Sequence, residues 1–291
     1  MQKKVLPFSL KASAWLISGL GSLFPGLAAR IFFRLYGTPP KRRLRDAHLK
    51  ARSKAVTRQD RFSKYSFDST ALKIDSYTWG DGRGRKVLIV HGWADTGLGF
   101  PGLTEGLARA GYTVVAIDNP AHGTSEGKRT NLVQWIHILD QVLNREQPIY
   151  AMIGHSVGAL TSALTLARKG VHVPRLVLAG APLSAAAFFQ DTFELFGIRP
   201  RVIAAVYRLV ETKLGDDLRT MSLDDCVGRM NTERILMVYD SSDQLVREGD
   251  VAAFLHRHPA IQAERIEGAG HFRILKDPVV IKAIISFLDK P

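Results

Sequence analysis

The sequence predicts an α/β protein in which a mostly parallel central sheet is flanked by helices and carries a small helical cap. Short apolar runs that are typical of buried strands alternate with segments of helical pattern. The polar residues with the clearest chemistry come directly after those runs, where open α/β sheets collect their sites. A chain of 291 residues with 46% hydrophobic residues can bury one sizeable core, which favours one main domain.

The first strands of this pattern end in loops that contain histidine. Residues 85–93 form an apolar run that ends in a His-Gly turn, and residues 112–118 form another that leads into a loop with proline and glycine. We expect His91 to be structural. Asp118 and His122 could act as catalytic groups, but we expect them to hold the loop by side-chain-to-backbone hydrogen bonds.

The stretch Gly154-His155-Ser156-Val157-Gly158 lies between an apolar run at residues 148–153 and a helical pattern at residues 159–168. This context predicts a nucleophile elbow, a tight strand-to-helix turn that exposes its serine. The flanking glycines let the backbone turn without a Cβ clash. The serine would project at a helix N-terminus, where backbone N–H groups favour an anion. Taken alone, the pattern also fits a turn serine that has no chemistry.

A candidate acid and a candidate base follow later in the chain. Residues 234–239 form a strand-like run that leads to Asp240 and Asp243, and a further run leads to a glycine-rich turn with His271. A serine hydroxyl is a weak nucleophile that needs an adjacent base. We expect His271 to take the proton of Ser156, and an aspartate to orient the imidazole and stabilise its cation.

With these residues in view, the chain resembles bacterial serine hydrolases of the α/β-hydrolase fold over roughly residues 70–291. The order serine, aspartate, histidine along the chain is the order of that fold. Ala121 departs from the family pattern, which usually has glycine at this position. The resemblance rests on HGW at 91–93, DNPAHGTS at 118–125, GHSVG at 154–158, YDSSD at 239–243 and GAGHF at 268–272.

The resemblance implies an α/β-hydrolase fold and a catalytic triad of Ser156, Asp243 and His271. It favours Asp243 as the acid, with Asp240 as the alternative. A serine at the nucleophile position argues against a haloalkane dehalogenase, whose nucleophile is an aspartate.

The resemblance also implies an oxyanion hole, formed by the backbone N–H groups of Trp93 and Val157. The expected reaction is cleavage of a carboxylic ester or a related acyl bond through an acyl-Ser156 intermediate. Two alternatives stay open: an acyltransferase that uses the same triad, and a non-catalytic scaffold that binds a ligand or a partner.

We expect no cofactor and no metal. The sequence has no Cys/His cluster with metal-ligand spacing and no glycine-rich nucleotide loop after the first strand. Its single cysteine, Cys226, excludes an intrachain disulfide. The expected partner is a small-molecule acyl substrate, and the oligomeric state is left open.

The net charge of +13 is concentrated at one end of the chain. Residues 1–64 contain 15 Lys or Arg and 2 Asp or Glu, whereas the remainder is balanced. We therefore expect a basic, partly apolar helical extension at residues 1–64, followed by the hydrolase domain at residues 65–291. Within the extension we expect two short helices, the second from about Pro25 to Gly37, and then a basic helical run at residues 41–64.

Three interpretations of the extension compete. Glycine and proline interrupt the apolar stretch, so it is a poor candidate for a helix that spans a membrane. A cleaved signal peptide is the second option. The favoured interpretation is helices packed on the hydrolase body or lying on an anionic membrane surface, with the domain in the cytoplasm and peripheral on the inner face of the membrane. Nucleic-acid binding is disfavoured because no binding motif accompanies the charge.

The segment at about residues 183–231 is expected to be the cap. It is helical in pattern and rich in aromatic residues. These side chains either anchor the cap or line an apolar acyl pocket. They are Phe188, Phe189, Phe193, Phe196 and Tyr207.

Overall fold

The computed structural model describes residues 17, 19–65, 68–215 and 217–290. In this part of the chain, eight strands form one sheet in the order β1-β2-β4-β3-β5-β6-β7-β8. The strands are β1 Val56–Tyr65, β2 Asp68–Trp79, β3 Lys86–Val90, β4 Thr113–Ile117, β5 Ala151–His155, β6 Arg175–Ala179, β7 Arg234–Asp240 and β8 Gln262–Ile266.

The sheet is mostly parallel, as the sequence predicts. Strand β2 pairs antiparallel with both β1 and β4, and the strands from β4 to β8 in the spatial order run parallel. Val90 at the end of β3 lies in register with Ile117 of β4 and Gly154 of β5. Parallel strands share one carboxyl edge, so the loops that follow β3, β4, β5 and β7 begin at the same side of the sheet.

The central strands are buried on both faces. Every residue of β4, β5 and β6 is buried, as are the last four residues of β3. This explains why these strands are continuous apolar runs instead of alternating patterns.

The helices are α1 Pro25–Tyr36, α2 Asp46–Ser53, α3 Pro101–Arg109, α4 Leu132–Glu146, α5 Val157–Lys169, α6 Ala185–Leu195, α7 Pro200–Leu214, α8 Leu223–Val227, α9 Glu248–Arg257 and α10 Pro278–Asp289.

The described residues divide into two compact units. The larger comprises Pro39–Leu183 and the residues from Ser222 onward, and it contains the whole sheet. Within it, α4 packs against α5 and α3 packs against α10.

The smaller unit comprises the described residues up to Thr38 together with Ser184–Met221. Within it, α1 packs against α7, and Phe32 and Tyr36 of α1 contact Phe193 and Phe189 of α6, with ring centroids 5.2 and 5.0 Å apart. Part of the expected cap therefore packs with the N-terminal helix, and its aromatic residues build this small core. A role as cap over a site stays a prediction.

The prediction of a helical run at residues 41–64 is wrong in its second half. Helix α2 lies inside this range, but residues 56–65 form β1, which is at one edge of the sheet. The partly buried Phe62 and Tyr65 and the β-branched Val56 and Thr57 suit a strand. Charged side chains are common on edge strands, where they hinder pairing with other chains, so basic residues did not distinguish strand from helix.

The second expected helix of the extension is confirmed, because α1 spans Pro25–Tyr36 and Gly37 caps it. Residues 19–23 are helical as well, but most of the first expected helix lies outside the described residues. Among the helices that the structure describes, each is too short or too polar to span a bilayer.

Close packing at the start of α5 leads to a first prediction. A Cβ atom on Gly158 would lie 2.3 Å from the carbonyl oxygen of His91 and 2.5 Å from that of Val90. We expect Gly158→Ala to lower the free energy of unfolding by about 1–3 kcal/mol or more, since backbone must move. Gly228→Ala is the control, because a Cβ there meets open space. Denaturant unfolding measures both, and equal stability of the two variants would contradict the packing.

Candidate active site

Ser156 occupies a strained turn between β5 and α5. Its backbone has φ 53° and ψ −128°, a conformation that L-residues rarely adopt and that costs of order 1–3 kcal/mol. The turn is possible because a neighbouring glycine lets the two elements approach: a Cβ on Gly154 would lie 2.3 Å from the Cα of Ala159. This is the strand–turn–helix context predicted from the sequence.

A continuous chain of hydrogen bonds starts at this serine. The Ser156 Oγ lies 2.8 Å from Nε2 of His271, and Nδ1 of His271 lies 2.7 Å from Oδ2 of Asp243. When Nδ1 of His271 carries the proton, it donates to the carboxylate of Asp243. Nε2 is then free to accept the hydroxyl of Ser156. The side chains of the His271–Asp243 pair are only 6% and 1% exposed, so this contact is shielded from water.

The carboxylate of Asp243 is held in place by its own loop. Its Oδ1 accepts the backbone N–H groups of Leu245 at 2.7 Å and Val246 at 3.1 Å, which leaves Oδ2 for His271. Gly180, at the end of β6, lies beside the pair with a φ of 55°, and a Cβ there would lie 3.5 Å from the Nδ1 of His271. The structure thus brings together the three residues that the sequence selects.

Asp240, the alternative acid, has a different set of partners. It is fully buried, and its carboxylate accepts the backbone N–H groups of Ala269 at 2.7 Å and Gly270 at 2.8 Å, just before His271. It also accepts the N–H and the hydroxyl of Ser242. Burial alone would raise the pKa of Asp240, but these hydrogen bonds lower it below the ordinary value. Asp240 therefore ties the loop of the histidine to the loop of the acid.

The loop after β3 runs directly beside the serine. A Cβ on Gly92 would lie 3.0 Å from the Cβ of Ser156, and Trp93 is the next residue after this close approach. Val157 is the first residue of α5, and the amides of a first helical turn have no acceptor within the helix. Ala94 has a φ of 59° and donates its N–H to Nε2 of His122 at 3.1 Å.

The expectation that His91, Asp118 and His122 have structural roles agrees with their contacts. The Nδ1 of His91 lies 2.7 Å from the Gly92 carbonyl oxygen, and its Nε2 accepts the N–H of Asn119 at 3.0 Å. Burial lowers the pKa of His91 and lowers that of His122 to about 3, so both rings are neutral at physiological pH.

Asp118 ties two loops together. It is fully buried, and its two oxygens accept the backbone N–H groups of Gly97 at 2.7 Å and Thr124 at 2.9 Å. Tyr77 of β2 donates its hydroxyl to the same carboxylate at 2.8 Å. The loops after β3 and β4 are thereby joined at the carboxyl edge of the sheet.

His155 is a residue of the site that sequence reasoning missed. It fills the variable position of the elbow motif, and its Nε2 donates to the backbone carbonyl of His271 at 2.9 Å. Burial, followed by the neighbouring His271, lowers the pKa of His155 to about 4, so it stays neutral and keeps this donor. The elbow motif allows any residue at this position, so the sequence gives no signal for the role. The hydrogen bond that reveals it joins residues 116 positions apart in the sequence.

Within the described ranges, no group of three or more His, Cys, Asp or Glu side chains is arranged to hold a metal ion. The thiol of Cys226 is buried, and this burial raises its pKa to about 11, so it is not a reactive thiolate.

Comparisons with known proteins agree with this architecture. A family model described as the α/β hydrolase fold matches residues 86–200. A serine hydrolase-like protein of Dictyostelium discoideum is 30% identical over 115 residues, which cover 37% of this chain and 32% of that protein. The chain therefore spans about a third of the length of this relative.

Two solved structures extend the likeness to most of the chain. An esterase of Pyrococcus furiosus superposes with a TM-score of 0.63 at 17% identity and covers 86% of this chain and 96% of its own. The protein Est1E of Butyrivibrio proteoclasticus, solved with ferulic acid bound, has a TM-score of 0.59 at 19% identity over 75% and 94% of the two chains. The chain has the α/β-hydrolase fold, and at these identities the likeness to solved structures concerns the fold alone.

The contacts of Asp240 lead to the second prediction. Asp240→Asn replaces one acceptor oxygen by an NH₂ group that faces backbone N–H donors, so we expect a loss of about 1–3 kcal/mol in the free energy of unfolding. Asp250→Asn, on the exposed side of α9, serves as the control and should cost less than about 1 kcal/mol. Chemical denaturation of the two variants measures the difference. A fully stable Asp240→Asn protein would show that these hydrogen bonds do not hold the loop.

Proposed function

We propose that this protein is a serine hydrolase that cleaves a carboxylic ester or a related acyl bond through an acyl-Ser156 intermediate. The observation that carries the proposal is the buried hydrogen-bond chain from Ser156 through His271 to Asp243, with distances of 2.8 and 2.7 Å. It begins at a serine whose backbone is strained and whose side chain makes no capping hydrogen bond to the helix that follows. Structural serines rarely need such a turn.

In the acylation step, Ser156 Oγ attacks the carbonyl carbon of the substrate while its proton passes to Nε2 of His271. The imidazole becomes a cation, and the carboxylate of Asp243 beside Nδ1 stabilises it without taking the proton. The tetrahedral intermediate then collapses. The alkoxide leaving group takes the proton from Nε2 and departs as an alcohol, and the acyl group stays on Ser156.

The charge that develops on the carbonyl oxygen needs fixed donors. We assign this role to the backbone N–H groups of Trp93 and Val157, which lie on the two segments that meet at Ser156. One such donor commonly contributes about 3–4 kcal/mol to transition-state stabilisation. The hydrogen bond between Ala94 and His122 holds the loop that carries the first donor.

Deacylation repeats the sequence with water as the nucleophile. His271 takes a proton from water as the hydroxide attacks the acyl carbon, and Ser156 Oγ leaves with the proton from Nε2. If an alcohol replaces water in this step, the same residues carry out acyl transfer. The names of the similar proteins, an esterase and a serine hydrolase-like protein, support hydrolysis.

The third prediction tests the nucleophile. The purified protein should hydrolyse p-nitrophenyl esters, and a series of acyl chain lengths will give the preferred size. Ser156→Ala should lower kcat by several orders of magnitude with an unchanged fold, because the covalent step is lost. Ser162→Ala, on the same helix with its hydroxyl bonded to the Gly158 carbonyl, is the matched control and should retain near-normal rates.

The outcomes separate three functions. Turnover to free acid supports a hydrolase, whereas preferential formation of a new ester with added alcohol would favour an acyltransferase. Ser156→Ala protein that works at the wild-type rate would refute the nucleophile. Lack of turnover and of any acyl-enzyme with every ester would favour a non-catalytic scaffold.

A further inference from the structure

An amphipathic helix exposes apolar side chains at the N-terminal part of the smaller unit. Helix α1 buries Ala28, Ala29 and Phe32, which lie on the side that packs against α7 and α6. The preceding helical residues are anchored as well, since a Cβ on Gly21 would lie 2.4 Å from Val202 of α7. One side of α1 is therefore fixed within the unit.

The solvent-exposed part of α1 and the two residues before it carry large apolar side chains. Leu23 is 78% exposed, Phe24 59%, Leu27 48% and Leu35 49%. Residues 24, 27 and 35 follow the spacing that puts side chains on one side of a helix. A solvent-facing helix side usually carries polar groups, so a cluster of this kind indicates an interaction surface.

The charges on the same side of the helix are all positive. Arg30 and Arg34 are exposed, and they lie one and two turns beyond Leu27. The first acidic residue of the whole sequence is Asp46, so no carboxylate in this helix neutralises them. We use the name outer face of α1 for Leu27, Arg30, Arg34 and Leu35 of the helix together with Leu23 and Phe24 just before it, and this face is both apolar and cationic.

We propose that the outer face of α1 docks on the surface of an anionic lipid bilayer. The leucines and Phe24 enter the boundary between headgroups and acyl chains, and the two arginines lie at the level of the lipid phosphates. Helix α1 has 12 residues, whereas a span needs about 20, so it lies in the plane of the surface.

Electrostatics favour this partner over a second copy of the chain. A two-fold symmetric dimer brings the same surface patch of both copies together. Pairing through the outer face of α1 would bring the Arg30 and Arg34 side chains of the two copies near one another, and α1 has no acidic residue to offset them. An anionic bilayer offers both the opposite charge and an apolar interior.

The fourth prediction is measured by flotation of the full chain with vesicles of phosphatidylcholine alone or mixed with phosphatidylglycerol, at low and high salt. We expect binding to the mixed vesicles that weakens at high salt. The double variant Leu27→Glu, Leu35→Glu should bind at least about tenfold more weakly. Apolar contact with the bilayer is lost, and the anionic lipids repel the two glutamates. Arg30→Gln with Arg34→Gln should weaken it roughly fivefold for each arginine.

The control introduces the same change on other helices. Leu49 and Val279 are exposed at 49% and 61%, and Leu49→Glu with Val279→Glu should leave vesicle binding within about twofold of the original, as expected for surface changes outside the contact. Circular dichroism melting checks that each variant is folded. The proposal is overturned if the wild-type protein does not bind the mixed vesicles. It is also overturned if the Leu27→Glu, Leu35→Glu variant binds them as well as the wild-type protein does. A dimer in solution that these two substitutions dissociate, with no vesicle binding, would assign the face to a second copy.

Discussion

The backbone of Ser156 is held at φ 53° and ψ −128° between the end of β5 and the start of α5. Strain of this size persists only where the surrounding structure fixes the chain on both sides. Here β5 lies between β3 and β6, and Gly158, the second residue of α5, packs directly against the backbone carbonyl groups of Val90 and His91 at the end of β3. The sheet register therefore determines the position of the serine, and the other loops must come to it.

Hydrogen bonds from buried polar side chains bring those loops to the serine. Asp240 binds the amides before His271, His155 binds the carbonyl of His271, and His122 binds the amide of Ala94. A buried polar group without a partner is costly, so each contact constrains a loop strongly. The geometry of the proposed triad thus depends on side chains that are outside the reaction. Both histidines stay neutral at physiological pH, because burial keeps their pKa values well below the ordinary value.

The sequence predicted those parts of the molecule that local patterns encode. Continuous apolar runs marked the buried strands, because strands covered on both faces need no alternation. The glycines around Ser156 marked the elbow, and the order of motifs selected Asp243 and His271. The choice of Asp243 over Asp240 came from the spacing of a family motif, and the hydrogen bond of Asp243 to Nδ1 of His271 agrees with it.

Other features depend on contacts between distant segments, and local patterns do not encode them. The role of Asp240 involves amides 28 to 30 positions away. Strand β1 was mistaken for helix because its charges at the sheet edge hide a weak strand pattern. The packing of Phe193 against Phe32 joins segments that are 161 positions apart in sequence number, so the sequence alone could not assign the aromatic residues to that small core.

The proposed mechanism requires that Ser156 is a nucleophile activated by His271. The most direct measurement is labelling with a fluorophosphonate, followed by mass spectrometry of the intact protein and of its peptides. We expect one adduct, on Ser156, and labelling that is at least about a hundredfold slower in His271→Ala, because the general base is lost. An adduct on another residue, no adduct under conditions that label other serine hydrolases, or equally fast labelling of His271→Ala would contradict it.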